Sequence, residues 1–327
     1  MSIICPNPSI DIRIYQVQIY NNNSTSTPYA TAKILHITSC QYTSPYHADE
    51  ATRQFHQIFV FLHSNPSSNA MKNKTIFITG ASSGIGEACA RKFASEGNIL
   101  ILNGRNRMLL ESLKHELETS YSTSIYLAIF DVRDHEAATQ AINSLPAPFQ
   151  NIDVLINNAG LALGVDKEYE GNMDDYTTMI DTNITALLHM TRLIVPGMIE
   201  RNCGHIINIG SIAGEKAYPG GSVYCATKAA VKALSDGLRM DLYHTPIRVT
   251  LLKPGLVETR FSIVRYYGNE QKAAHVYRHI QPLTGKDIAE SAYFAADAPA
   301  HVQISEMEIL ATHQASAQMV WREGENP

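Results

Sequence analysis

The chain of 327 residues is poor in cysteine, and it has no glycine before residue 71. Cys5, Cys40, Cys89, Cys203 and Cys225 form no C-x-x-C pair. No redox couple, structural zinc site or disulfide framework is therefore written locally. No metal is expected, and a reducing compartment, the cytoplasm, is the default. No run approaches the roughly 18–20 unbroken apolar residues of a membrane-spanning helix. Residues 58–62 are apolar but stop at His63-Ser64-Asn65-Pro66. An excess of positive charge is missing too. With 26 Lys+Arg against 31 Asp+Glu the net charge is -5, which disfavours nucleic acid as the partner. A small-molecule substrate is expected instead.

The glycine gap divides the chain. A globular stretch of 70 residues should carry about five glycines at ~7% usage, yet all 19 lie beyond it. Those first 70 residues hold 21 Ser, Thr or Asn, five prolines and only six charged residues. A signal peptide is disfavoured because no basic segment precedes an apolar one. A transit peptide is supported by Ser/Thr richness but opposed by having only Arg13 and Arg53. We favour a third reading, in which translation starts at Met71 and residues 1–70 are a disordered extension or an upstream-start artefact. Residues 71–327 then form a single domain.

That domain alternates apolar runs with amphipathic ones. Strands are expected at 75–79, 98–103, 125–130, 153–156, 205–210, 247–252 and 307–311. Helices are expected near 84–96, 106–119, 134–144, 173–201, 222–243 and 286–297. Ile/Leu/Val-rich strands between helices predict an α/β fold, a doubly wound parallel sheet of about seven strands with helices on both faces.

Two ends of this sheet carry chemistry. Gly80-Ala81-Ser82-Ser83-Gly84-Ile85-Gly86 follows the first strand and opens a helix. Glycine lets backbone approach a pyrophosphate, which sits at the helix N-terminus, and Ser82 and Ser83 add hydroxyl donors. The second strand ends Asn103-Gly104-Arg105, where NAD enzymes of this architecture present an acid to the ribose. A guanidinium there, with Arg107 nearby, places NADP ahead of NAD. Asp131-Val132 closes the third strand, where a carboxylate could meet the adenine amino group. Asn158-Ala159-Gly160 follows the fourth and could cover the adenosine side. No G-K-[ST] is present, which rejects a P-loop.

At the other end, Tyr224 and Lys228 are four apart in a helical pattern and share one face. A nearby ammonium would lower the phenol pKa and make Tyr224 a usable acid/base. Ser211, past the fifth strand, could bind a substrate carbonyl, and Asn183 could hold a relay water. Each has a plainer reading, a helix surface pair or turn and cap chemistry. Their order along the chain, below a glycine turn, favours the chemical one.

T-G-x-x-x-G-I-G (79–86), N-N-A-G (157–160), Asn183, Ser211, Y-C-A-T-K (224–228) and Pro254-Gly255 together resemble the short-chain dehydrogenase/reductase family over about 71–312. The resemblance implies a Rossmann-type fold with NADP bound along the glycine turn, Arg105, Asp131, Val132, the N-A-G run, Tyr224, Lys228, Pro254 and Gly255. It makes Tyr224 the acid/base, Lys228 its partner and ribose ligand, Ser211 the positioner of the substrate carbonyl and Asn183 the relay residue. Thr227 stands where the family has serine and keeps the hydroxyl. Residues 151–164, 179–183, 205–214 and 254–268 are most similar to the bacterial NADP-dependent 3-hydroxy acid dehydrogenases, which act on serine, allo-threonine and 3-hydroxypropionate. The likeness is looser at 258–260 and 269–282. It also implies a lid after Pro254-Gly255, a homotetramer paired through the two long helices, and a cation for the substrate carboxylate. Arg265 is the first choice, with Arg260 and Arg278 behind it. A 3-oxoacyl-carrier reductase is the alternative enzyme, and an NADP(H)-sensing regulatory protein the alternative without catalysis.

Overall fold

The computed structural model describes Val17–Tyr20, Ile34–Ile37 and residues 71–324. The chain divides into two compact units, Met1–Ser67 and Ser68–Pro327. In the first, β1 (Val17–Tyr20) pairs antiparallel with β2 (Ile34–Ile37). The rest of the expected disordered extension lies outside the described residues.

The second unit is built on seven parallel strands: β3 (Thr75–Ile78), β4 (Ile99–Gly104), β5 (Ile125–Ile129), β6 (Val154–Asn157), β7 (His205–Ile209), β8 (Arg248–Pro254) and β11 (Glu306–Ile309). A two-residue parallel ladder, β9 (Val257–Glu258) with β10 (Leu283–Thr284), lies apart from the main sheet. Strand order is β11-β8-β7-β6-β3-β4-β5. The chain therefore reverses direction across the sheet between β3 and β6, and ligands of such sheets bind in the crevice above that switch.

Period-2 alternation fills two cores. Ile76, Ile78, Leu100 and Leu102 face one layer, packed by α1 (Gly84–Ser95), α2 (Arg107–Tyr121) and α9 (Gly285–Ala296) through Phe93, Leu110, Leu117 and Ile288. Phe77, Ile101 and Leu155 face the other, where α3 (His135–Asn143) and α5 (Ala186–Glu200) contribute Ala138, Met190, Ile194 and Met198. The sheet is buried on both sides, which is why its strands read as continuous apolar runs.

The expected helix 173–201 is not continuous. It runs as α4 (Met173–Ile180), a π turn over Asp181–Thr185, and α5. Such widened turns insert a residue into the helical ladder and recur at functional sites. α6 (Ser222–Asp241) follows β7. Two short helices, α7 (Phe261–Arg265) and α8 (Glu270–Val276), rise from the segment after β8 that periodicity left unassigned. Among the described residues no helix is long and apolar enough to cross a membrane.

Candidate active site

One cleft of about 680 Å³ lies over the C-terminal strand ends. Its wall includes every site residue expected from sequence except Gly86 and Asn183, which sit behind it, and the secondary candidates Arg107 and Arg278.

At the nucleotide end the backbone itself makes the surface. Gly80 takes φ +64°, which side-chain-bearing residues avoid. A Cβ on Gly86 would stand 2.4 Å from the Gly80 carbonyl oxygen. Gly84 and Ile85, in the first turn of α1, line the cleft with Ser82 and Ser83. Thr79 ties this turn to the next strand. Its Oγ1 accepts from the backbone N–H groups of Asn158 and Ala159, both at 2.9 Å. Asn158 Nδ2 returns a bond to the Thr79 carbonyl at 2.8 Å. Asn158 thus braces the glycine turn while lining the cleft together with Ala159 and Gly160.

Asn103 is fully buried, and its Nδ2 donates to the Ala128 and Phe130 carbonyls. Arg105 beside it is two-thirds exposed, with its guanidinium 3.6 Å from Asp131. The Asp131 carboxylate accepts from Arg133 Nη2 at 2.7 Å and from the Arg133 backbone at 3.0 Å. Arg133, chiefly, and Arg105 more weakly hold that carboxyl below its usual range. Two guanidinium groups around one carboxylate leave this corner net positive. Sequence reasoning missed Arg133, although its place directly after Asp131-Val132 marks it. Arg107 pairs instead with Glu111 and lies off the cleft.

A diphosphate with a phosphorylated ribose fits these residues. The backbone cradle tolerates no side chain at Gly86, the α1 N-terminus favours anions, and the cations stand where a ribose phosphate would end.

At the chemical end, one face of α6 brings Tyr224 and Lys228 into the cleft. Ser211, N-cap of a short 3-10 turn after β7, faces Tyr224, and its Oγ accepts from the Ala213 N–H at 3.1 Å. Burial pushes the Tyr224 phenol above its ordinary value, against the lowering expected from sequence. The Ser211 hydroxyl and the Arg265 charge pull the other way. Lys228 Nζ donates to the Ile209 carbonyl at 2.9 Å and stands 5.9 Å from the Tyr224 ring centre. Burial brings Lys228 itself down to about 8.

Asn183 occupies the π turn and is buried. Its amide donates to the Leu161 carbonyl at 2.9 Å and to Thr227 Oγ1 at 3.0 Å, and its Oδ1 accepts from the Leu161 N–H. Thr227, the departure from the family's serine, therefore links Asn183 to the helix that carries Tyr224.

The segment 261–277 closes one side. Phe261 packs on the Tyr224 ring, centres 5.5 Å apart. Arg265 donates to the carbonyls of Gly164 and Gly220 and to the Tyr218 hydroxyl, at 3.2, 3.0 and 2.8 Å. Arg260 lines the cleft and is exposed, whereas Arg278 is outside the lining and donates to His279. Three further contributors went unread in the sequence. Tyr218 and Tyr277 line the cleft, and Gln314 Oε1 accepts from the Leu256 N–H at 2.7 Å, next to Pro254-Gly255. Only the position of Tyr218 between Ser211 and Tyr224 could have signalled it.

Comparison with known proteins agrees with this geometry. Residues 74–267 match the short chain dehydrogenase family profile. An NADP-dependent 3-hydroxy acid dehydrogenase of Schizosaccharomyces pombe is 46% identical over 253 residues, 77% of this chain and 98% of that protein. Its namesake in Escherichia coli K12 is 45% identical, covering 74% and 96%. The serine 3-dehydrogenase of Rhizobium radiobacter is 42% identical with the same coverage. Among solved structures, a closed form of serine dehydrogenase complexed with NADP+ superposes with a TM-score of 0.72 at 45% identity, covering 74% of this chain and 97% of that one.

Proposed function

Because the chain belongs to the short chain dehydrogenase family, we propose that it is an NADP-dependent oxidoreductase interconverting small 3-hydroxy acids of the serine and 3-hydroxypropionate class with their carbonyls. One observation carries the reading. A single cleft holds a backbone cradle with two arginines at one end and the Tyr224, Lys228 and Ser211 side chains at the other. Relatives at 42–46% identity bear the matching names.

When bound, NADP takes the hydride from the substrate carbon or returns it. The other tasks fall to this chain. Gly80, Ser82, Ser83, Gly84 and Ile85 receive the diphosphate, with Gly86 leaving room behind them. Arg105, and beside it Arg133, meets the ribose phosphate. Val132, Asn158, Ala159 and Gly160 line the adenosine side, with Asp131 held by its arginines, and Pro254 and Gly255 line the end nearer the chemistry. Ser211 positions the substrate oxygen and Tyr224 exchanges the proton with it. A phenol raised by burial stays protonated at neutral pH and is poised to donate during reduction. Lys228 supplies charge and a ribose contact, and Asn183 fixes the loop at Leu161 beside them. We place this activity wholly within residues 71–327 and in the cytoplasm. We place the enzyme as a homotetramer paired through α5 and α6, a reading supported by Leu188, Ile199 and Met240 lying exposed on those helices.

The test is initial-rate spectrophotometry with L-serine, L-allo-threonine, 3-hydroxypropionate and a neutral secondary alcohol, each with NADP and NAD. The reading expects NADP-linked turnover led by the acids. Turnover confined to the neutral alcohol would reject the substrate class, and equal use of NAD would reject the cofactor assignment.

A further inference from the structure

A 3-hydroxy acid carries its carboxylate only two bonds from the reacting carbon. Whatever recognises that carboxylate must stand beside Tyr224 rather than at the far end of the cleft. The cleft-lining cations sort themselves accordingly. Arg105 and Arg133 gather on Asp131 at the nucleotide end, and Lys228, bonded to the Ile209 carbonyl, is assigned above to the cofactor ribose. Arg260 and Arg265 remain, and of these Arg265 is the one whose charge acts on the Tyr224 phenol.

Arg265 is already engaged. Its Nε and Nη2 donate to the Gly164 and Gly220 carbonyls, and its Nη1 donates to the Tyr218 hydroxyl. The guanidinium also stands 5.4 Å from the centre of the Tyr218 ring. A guanidinium has donors only, so the Tyr218 oxygen is the acceptor in that bond and its own proton must go elsewhere. The Cys225 thiol beside it is a weak acceptor for that proton, which a carboxylate outcompetes. Burial pushes the Tyr218 phenol up, so it keeps that proton at neutral pH. The result is a polarised O–H on the cleft wall, backed by a fixed positive charge, close enough to Tyr224 for the two phenols to feel one another.

We propose that Tyr218 is the residue that recognises the substrate carboxylate: its hydroxyl donates to a carboxylate oxygen, and Arg265 fixes the phenol and supplies the balancing charge. This rests on the 3-hydroxy acid reading above. It changes the part played by Arg265 from a direct two-pronged anchor to a positioning residue that acts through a phenol. A neutral ester of the same hydroxy acid lacks the charge that this arrangement favours, so Tyr218 sets the preference for acid over ester.

The experiment uses the full chain and Tyr218→Phe, which keeps the ring against Arg265 and removes only the hydroxyl. Oxidation of 3-hydroxypropionate and of its methyl ester is followed with NADP, alongside a fluorescence titration with NADPH. A hydrogen bond to a charged group corresponds to about 10–150-fold in affinity. The acid should lose kcat/KM in that range, mostly through KM, while the ester loses far less and NADPH affinity holds. Equal losses for acid and ester would overturn the proposal in favour of an effect on the acid/base or on the segment 261–277. Undiminished acid turnover would overturn it in favour of Arg260. A wild-type chain that oxidises the ester but no 3-hydroxy acid would instead reject the underlying reading, and the proposal with it.

Discussion

The two ends of the cleft are held together in opposite ways. At the nucleotide end short groups and backbone do the work. Thr79, Asn158 and the glycine turn bond one another across neighbouring strands β3 and β6. At the substrate end long side chains span the gaps. Arg265 reaches Gly164 and Gly220, and Tyr267 donates to Asp175 at 2.6 Å. Tyr277 donates to the Val257 carbonyl. Arg322, near the C-terminus, donates to the carbonyls of Val276 and Arg278, and the Glu323 N–H donates to the His279 carbonyl. The first construction is fixed by the sheet and fails when its backbone is crowded. The second is a set of separate clasps, each of which can be released without unfolding the layer beneath.

Four changes test that contrast. Gly86→Ala forces a methyl group against the Gly80 carbonyl, and the overpacking falls on the cofactor cradle. It should abolish NADPH binding measured by fluorescence while circular dichroism still reports a folded sheet. Intact binding would show that the cradle is softer than its geometry. Arg105→Ala should raise KM for NADP by roughly 10–150-fold, the loss of a charge-assisted contact, and barely alter KM for NAD. Parallel losses would make Arg105 structural. Arg322→Ala releases one clasp, and because solvent screens this surface guanidinium the cost is about 0.5–1.5 kcal/mol, roughly 2–12-fold. It should appear in KM for the hydroxy acid and not in NADPH affinity. A change in NADPH affinity instead would erase the distinction between the ends. A chain beginning at Met71 should show kcat/KM equal to that of the full chain, and insolubility or lost activity would make residues 1–70 part of the working fold.

The same contrast explains what could be read in advance. Six of the seven parallel strands follow from apolar runs, because burial on both faces demands them, whereas the edge strand Glu306–Ile309 is half-buried and carries two glutamates. Gly80 and Gly86 stand where only glycine fits, and Tyr224 and Lys228 share a face by helical geometry. Each of these is a local requirement written within a few residues. The clasps are not local. Nothing near Arg265 announces a carbonyl at Gly164 or a phenol at Tyr218, and nothing near Gln314 announces Leu256. The π turn at Asp181–Thr185 was equally hidden, since apolar spacing passes through it unbroken as one long helix. The raised Tyr224 phenol was missed for a related reason. Spacing places Lys228 on the same face, but only the fold shows its ammonium turned to the Ile209 carbonyl and the phenol buried.

The central claim is that Tyr224, where the two ends meet, moves the proton while binding is done by its surroundings. Tyr224→Phe tests it most directly, because only the ionisable oxygen is removed and the ring stays against Phe261. Steady-state oxidation of 3-hydroxypropionate with NADP should become undetectable, while fluorescence titration returns an NADPH dissociation constant close to that of the unaltered protein. Turnover near the unaltered rate would contradict the account.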